Sequence, residues 1–297
     1  MTGYDVTIFG IKMNLNPVAF RIPLGENGWD IYWYGIIIAC GFLLALIFAV
    51  RNAERFNLNT DKMLDVVLIA TPVSILSART YYVIFDGEKL NGIGDFFGFG
   101  DSSGFAGLAI YGGVIGAFAA GFIACKILKI NILDMFDIAV LGFLVGQGIG
   151  RWGNFFNQEA YGTFTGSSWW GMTSSKVASE MGSNRLVHPC FLYESIWCIA
   201  GFFIINHLSK KRRFSGETSL MYCVWYGFER TFLELIRTDS LMIGRLRVSS
   251  LLSAMLCITG AVLIVVFEKK YRKSDETAEY VPVIAEETQE EKNEQDN

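Results

Sequence analysis

Residues 33–50 read WYGIIIACGFLLALIFAV, a run without a charged side chain. A helix needs roughly 17–25 predominantly apolar residues to cross the hydrocarbon core of a bilayer, and this run is long enough. Further stretches qualify at 64–85, 107–129, 135–150, 190–208, 217–236 and 249–267, so about seven transmembrane helices are expected. The 297 residues have the mass of two soluble domains, yet 52% of them are hydrophobic and the mean hydropathy is +0.36. A soluble core has no use for so many long apolar runs. The expected fold is therefore all-α, a polytopic integral membrane protein with a single membrane domain over 1–273.

Basic residues orient the spans. Arg51, Arg55 and Lys62 follow the first, Lys126 and Lys129 the third, and Lys210, Lys211, Arg212 and Arg213 the fifth. Lys269, Lys270, Arg272 and Lys273 follow the last. Positive charge collects on the cytoplasmic side of membrane helices, which places the N-terminus outside and the C-terminus in the cytoplasm. By alternation the segments at 86–106, 151–189 and 237–248 lie outside. Segment 151–189, with Trp169, Trp170 and abundant Gly, Ser and Thr, suits a small extracytoplasmic subdomain near the interface. Arg151, Arg185, Arg237, Arg245 and Arg247 also fall on this outer side, against the orienting trend, and require another explanation.

Other features narrow the function. The polar, acidic stretch 274–297 cannot bury a core and is expected to be a disordered cytoplasmic tail. The first thirty residues lack the pattern of a cleaved signal peptide, so the first span is expected to serve for insertion. Six scattered cysteines and the distant pair His188 and His207 have no ligand spacing, so neither a disulfide framework nor a metal site is expected.

The chemistry concentrates in two places. The run at 150–162, GRWGNFFNQEAYG, sets an arginine, two asparagines and a glutamate at the end of an apolar segment, where such groups are costly. In the sixth span Tyr226, Arg230, Glu234 and Arg237 are spaced by four, four and three residues, which puts them on one helical face. An internal Arg230–Glu234 ion pair kept for packing specificity would account for that stripe alone. Arg151, at the outer end of the fourth span, changes the balance. Several guanidiniums in one place call for an anion, arginine's planar fork suits phosphate, and the abundant anion at that depth is a lipid phosphate. Asn154, Asn157 and Glu159 add hydrogen-bonding groups, and Gly150, Gly153 and Gly162 permit tight bends or close approach of a ligand. Together these imply a pocket for a glycerol-type headgroup. Gly142, Gly146 and Gly148 are read as helix-packing positions, and Tyr34 and Tyr193 as interface aromatics.

The run at 150–162 resembles the signature of the prolipoprotein diacylglyceryl transferase family. Trp33-Tyr34-Gly35, Tyr111-Gly112-Gly113, His188-Pro189 with Leu192-Tyr193-Glu194, and Arg230 with Glu234 and Arg237 follow in the family's order. The resemblance spans the whole membrane domain. It implies transfer of the diacylglyceryl group of phosphatidylglycerol to the lipobox cysteine in the signal peptide of an exported prolipoprotein. The product is a thioether, and glycerol phosphate is released. The implied site is in a bacterial cytoplasmic membrane and faces its outer side. The implied partners are that lipid, that peptide and the surrounding membrane lipids; no nucleic acid and no cofactor enter the scheme.

Carried over by position, Arg151 resembles the phosphatidylglycerol-binding arginine, and Asn154, Glu159, Gly162, Tyr34, Arg230 and Glu234 match positions important in the family. Asn157 joins the lipid-binding set through its place in the signature. The chain departs from the family at Tyr111, where many members carry a histidine proposed as base. A thiol of pKa about 8.5 is only a few per cent thiolate at neutral pH, so it needs a base or a positive field. The expected division of labour gives Arg151 and Arg230 the phosphate and the field, has Glu234 orient Arg230, and has Tyr111 position substrate. Glu159 or Glu234 as general base stays open. The rival reading is a membrane transporter of lipid or small anions; the duplicated halves usual in transporters are not found in the sequence.

Overall fold

The computed structural model describes residues 3–23, 29–86, 96, 109–238, 242–243 and 246–275. The expected tail over 274–297 falls almost wholly outside the described residues, as do Arg245 and most of the 86–106 segment. Among the described residues the long helices are α1 (Trp33–Asn52), α2 (Thr60–Asp86), α3 (Ile110–Ile127), α4 (Ile132–Asn157), α6 (Cys190–Leu208), α7 (Glu217–Ile236) and α8 (Val248–Asp275). A short α5 (Ser175–Met181) precedes α6.

Each expected span forms a helix, and six of the seven are apolar and long enough to cross a bilayer. The exception is α7, which carries Glu217, Glu229, Arg230 and Glu234. Its place in the bundle rests on neighbours: α8 packs along it, α6 and α4 meet its other faces, and Trp225 stacks on Trp197 of α6 at 4.5 Å. A helix of this polarity needs protein around it to lie at membrane depth.

Packed neighbours run antiparallel, with Gly41 of α1 on Gly146 of α4, Gly112 of α3 on Tyr81 of α2 and Gly201 of α6 on Trp225 of α7, so the helices alternate in direction. Arg51, Lys126, Lys129, Lys210 and Lys211 therefore gather at one end of the bundle, and the other end holds the start of α1, α3 and α6 and the finish of α4 and α7. The central element is α4, which packs on α1, α6 and α7. Its apolar residues Ile138, Leu141 and Leu144 anchor a core shared with Phe56, Met63, Ala124, Cys198 and Ile205.

A staple closes the basic end. Arg212 reaches Asp134 at 2.7 Å and Asp137 at 3.0 Å, and Asp137 also accepts from the backbone N–H groups of Gly216 and Ser219. Asp137 is fully buried. This joins the start of α4 to the α6–α7 connection and satisfies the otherwise orphaned amides at the start of α7.

The opposite end carries a small cap that the all-helical expectation omits. Strands β1 (Tyr4–Ile8) and β2 (Ile11–Leu15) form a hairpin, and β1 also pairs with β5 (Met172–Ser174), Val6 facing Ser174. β3 (Val18–Ile22) and β4 (Trp29–Tyr32) form a second hairpin that leads into α1, and β6 (Met242–Ile243) pairs with β7 (Leu246–Arg247) before α8. Val6, Met172, Val177 and Val187 pack on Phe155 and Phe191, so the cap sits directly on α4 and α6.

Candidate functional site

Helix α4 continues to Asn157, seven residues beyond its expected end, so Arg151, Asn154 and Asn157 lie on helix rather than in a loop. Of the two roles open to Gly150 and Gly153, a tight bend or close approach of a ligand, the bend does not occur. Both are helical, and side chains of α1 fill the space a Cβ would take. A Cβ on Gly150 would stand 3.1 Å from Ile38, and one on Gly153 would stand 2.5 Å from a Tyr34 ring carbon. The last turn is closed by Gln158 in the left-handed region at φ 52°, whose N–H reaches the carbonyls of Asn154 and Phe155.

Arg151 points from α4 at Glu194 of α6, and the two form an ion pair. Glu194 is 1% exposed. Its other oxygen accepts from Arg237 Nη1 at 3.0 Å, and Arg230 Nη1 stands 3.6 Å away. Arg230 Nη2 meets Glu234 at 2.8 Å one turn along α7. The predicted stripe on α7 therefore faces a carboxylate that also holds Arg151. Tyr226 continues the stripe, stacked on Tyr222 at 5.6 Å. Arg247 donates to the backbone carbonyls of Glu234 and Arg237. Three guanidiniums thus meet at two carboxylates, with Arg247 on the adjoining backbone carbonyls, an excess of positive charge in a largely buried place. Arg230 Nη1 has no hydrogen-bond partner among the described residues. Such a donor is satisfied when an anionic oxygen arrives.

The remaining predicted residues divide. Tyr34 lies against Gly153 and within electrostatic reach of Glu159 and Arg151. Asn157 donates to Glu159 at 3.3 Å, and Glu159 is exposed beside the cap. Gly162 pairs with Arg237 through an isolated bridge and donates its N–H to the His188 carbonyl at 2.9 Å. A Cβ there would meet His188 at 2.8 Å and Cys190 Sγ at 2.9 Å, so only glycine lets this strand lie beside the Arg237 backbone. Tyr111, on the first turn of α3, is 67% exposed. Alternation puts it at the same end of the bundle, but no hydrogen bond or ion pair joins it to the arginine cluster among the described residues.

His188, just ahead of α6, meets the Tyr193 hydroxyl at 3.2 Å, and burial lowers the imidazole's proton affinity below the usual histidine range. Tyr193 also accepts from Trp170 Nε1 at 2.8 Å, tying the cap to α6. Trp152 donates to Ser195, and Ser195 to the Gly148 carbonyl at 2.7 Å, which holds α4 against α6 beside Glu194. Among the described residues no group of three His, Cys, Asp or Glu side chains is placed to hold a metal ion. Arg79, within α2, is buried and donates to the Phe96 carbonyl at 3.0 Å.

The sequence put Arg237 on the polar face of α7 and Glu194 in the family's order, but neither was given a role in the site. Three arginines converging on Glu234 alone leave a charge imbalance, and Glu194 was the nearest carboxylate in an apolar run able to relieve it.

A helical bundle with six spans long and apolar enough to cross a bilayer, and with buried arginine–carboxylate pairs beneath a small cap, defines a polytopic membrane protein. The family model described as "Prolipoprotein diacylglyceryl transferase" matches residues 17–266. The phosphatidylglycerol–prolipoprotein diacylglyceryl transferase of Finegoldia magna is 41% identical over 86% of this chain and 99% of its own length. That of Clostridioides difficile is 39% identical over 86% of this chain and 98% of its own, and that of Pediococcus pentosaceus is 41% identical over 86% and 91%. The chain belongs to the prolipoprotein diacylglyceryl transferase family. Membership makes it a membrane transferase.

Proposed function

We propose that the chain transfers the diacylglyceryl group of phosphatidylglycerol to the lipobox cysteine of exported prolipoproteins. The observation that carries this reading is the excess of guanidinium charge around Glu194, with Arg230 Nη1 left without a hydrogen-bond partner among the described residues. A phosphodiester brings one negative charge and the acceptor oxygens that Arg151 and Arg230 need. The cysteine sulfur attacks the glycerol carbon that carries the phosphate, the carbon–oxygen bond breaks, and glycerol phosphate leaves with the bonding electrons. Arg151 and Arg230 stabilise the charge that develops on the leaving phosphate, and Glu234 orients Arg230. Their positive field also favours the thiolate. Asn154, Asn157, Glu159 and Tyr34 hold the glycerol headgroup, and Gly162 sets the backbone that carries Arg237. Tyr111 positions substrate.

The basic end of the bundle faces the cytoplasm of a bacterial cell, and the site faces the outer side of its plasma membrane. Residues 1–273 act as one catalytic domain, 151–189 supplies the extracytoplasmic part, and 274–297 is a cytoplasmic tail.

Purified protein in phosphatidylglycerol vesicles with a lipobox peptide is expected to add a diacylglyceryl mass to the cysteine and release glycerol phosphate. Phosphatidylcholine vesicles are expected to give neither. Arg151→Ala is expected to lower the rate about 10²–10³-fold, the loss usual when a charge-stabilising donor is removed. No mass gain with the unaltered protein would refute the activity, and an undiminished rate with Arg151→Ala would refute the site.

A further inference from the structure

Glu229 stands next to the arginine cluster and takes no part in its ion pairs. It precedes Arg230 on α7, and one residue is about 100° of helical turn, so it leaves the face that meets Glu194. It is 8% exposed, and its Oε1 is buried with no hydrogen-bond partner among the described residues. A buried carboxyl oxygen without a donor is costly to keep unless a ligand supplies one. The residue forms part of the wall of an apolar cleft of about 370 Å³ between α6 and α7, with Trp197, Phe228, Phe232 and Ile236. Phe228 and Phe232 are about half exposed, so the cleft opens sideways from the bundle. Glu194, Arg151 and Arg230 lie within electrostatic reach of its carboxyl. Cys198 of α6 and Tyr226 of α7 lie within reach as well.

We propose that this cleft receives the apolar segment around the acceptor cysteine and that the Glu229 carboxylate, which lines it, takes the proton of its thiol. The proposal rests on the transferase reading above and supplies the base which that reading leaves open. A lipid acyl chain would fill the cleft but brings no proton for the carboxylate; a cysteine in an apolar peptide fills it and brings one. The S–H proton passes to Glu229, the sulfur attacks the glycerol carbon, and the bond from that carbon to the phosphate-ester oxygen breaks, its electrons leaving with the phosphate. The departing phosphate monoester then takes the proton from Glu229, which regenerates the carboxylate. Negative charge moves from carboxylate to sulfur inside the cleft, so the number of charges beside Arg151 and Arg230 does not change during the transfer.

The test compares the full-length protein and Glu229→Gln in phosphatidylglycerol vesicles, on a lipobox peptide carrying cysteine and on the same peptide carrying selenocysteine. A selenol is ionised at neutral pH without a base. Glu229→Gln is expected to lose about 10²–10⁴-fold on the cysteine peptide at pH 7. The deficit should shrink as the pH passes the thiol's pKa of about 8.5. On the selenocysteine peptide the variant should match the unaltered protein. Equal rates on the cysteine peptide would overturn the proposal. So would a deficit that persists on selenocysteine and at high pH, which would make Glu229 a packing residue. A Phe232→Ala variant whose KM rises for the lipid but not for the peptide would assign the cleft to an acyl chain and overturn it too. Failure of the unaltered protein on the cysteine peptide would instead count against the transferase reading.

Discussion

Glu194 meets Arg151 and Arg237 through its two oxygens and has Arg230 at 3.6 Å, so one buried carboxylate sets the position of guanidiniums from two helices. Taking its charge away leaves buried arginines with too few partners, a loss of about 3–5 kcal/mol in comparable buried pairs. Glu194→Gln is expected to lower the thermal midpoint in detergent markedly and to abolish transfer; a midpoint within a degree or two of the unaltered protein would contradict this. At this scale the sequence revealed much of the site, because charge inside an apolar run stands out. Arg151 and the Arg230–Glu234 pair were legible for that reason, and the helical period brought Arg237 onto their face. Glu194 was hidden behind Tyr193, whose neighbourhood reads as an interface belt. Glu229 was hidden by the helical wheel itself, which selects one face and discards the residue beside it.

Among the elements, α4 does most to assemble the molecule, with the site at its last turns and the Arg212 staple at its first. The staple's carboxylates are buried, Asp137 fully so. Arg212→Met is expected to destabilise the protein by about 3–5 kcal/mol while the activity per folded molecule is kept, because the site lies at the other end. Loss of activity in protein that remains folded would show that the two ends are coupled. The existence of every long helix was legible from run length. The end of α4 was not: glycine and polar residues past position 150 look like a loop, whereas packing of Tyr34 and Ile38 into the glycine positions favours continued helix. The strands of the cap were missed for a different reason. They have two to five residues, too few to show a period of two, and β1 finds β5 across more than 160 residues of chain.

For the molecule as a whole, orientation in the membrane decides whether the site meets exported precursors. A cysteine placed at Asn184 in the cap, which is exposed, is expected to react with a membrane-impermeant maleimide in intact cells. One at the exposed Lys210 should react only after lysis. The reverse pattern would turn the protein over and put the site on the cytoplasmic face. The basic ends of the spans argue for the first outcome.

The polarity of α7 bears on how the chain is made. Arginine and acidic residues at the middle of a helix each cost about 2.5–3.5 kcal/mol during insertion, so this segment gains little by leaving the translocation channel alone. Its partners on α4 and α6 are synthesised before it, and the strongly apolar α8 follows at once. The polar helix therefore enters the bilayer against neighbours already in place and drawn along by the one behind it. Its charges find their partners during biogenesis, and a nascent chain halted before α8 would carry the residues of the site without being able to keep them in the membrane.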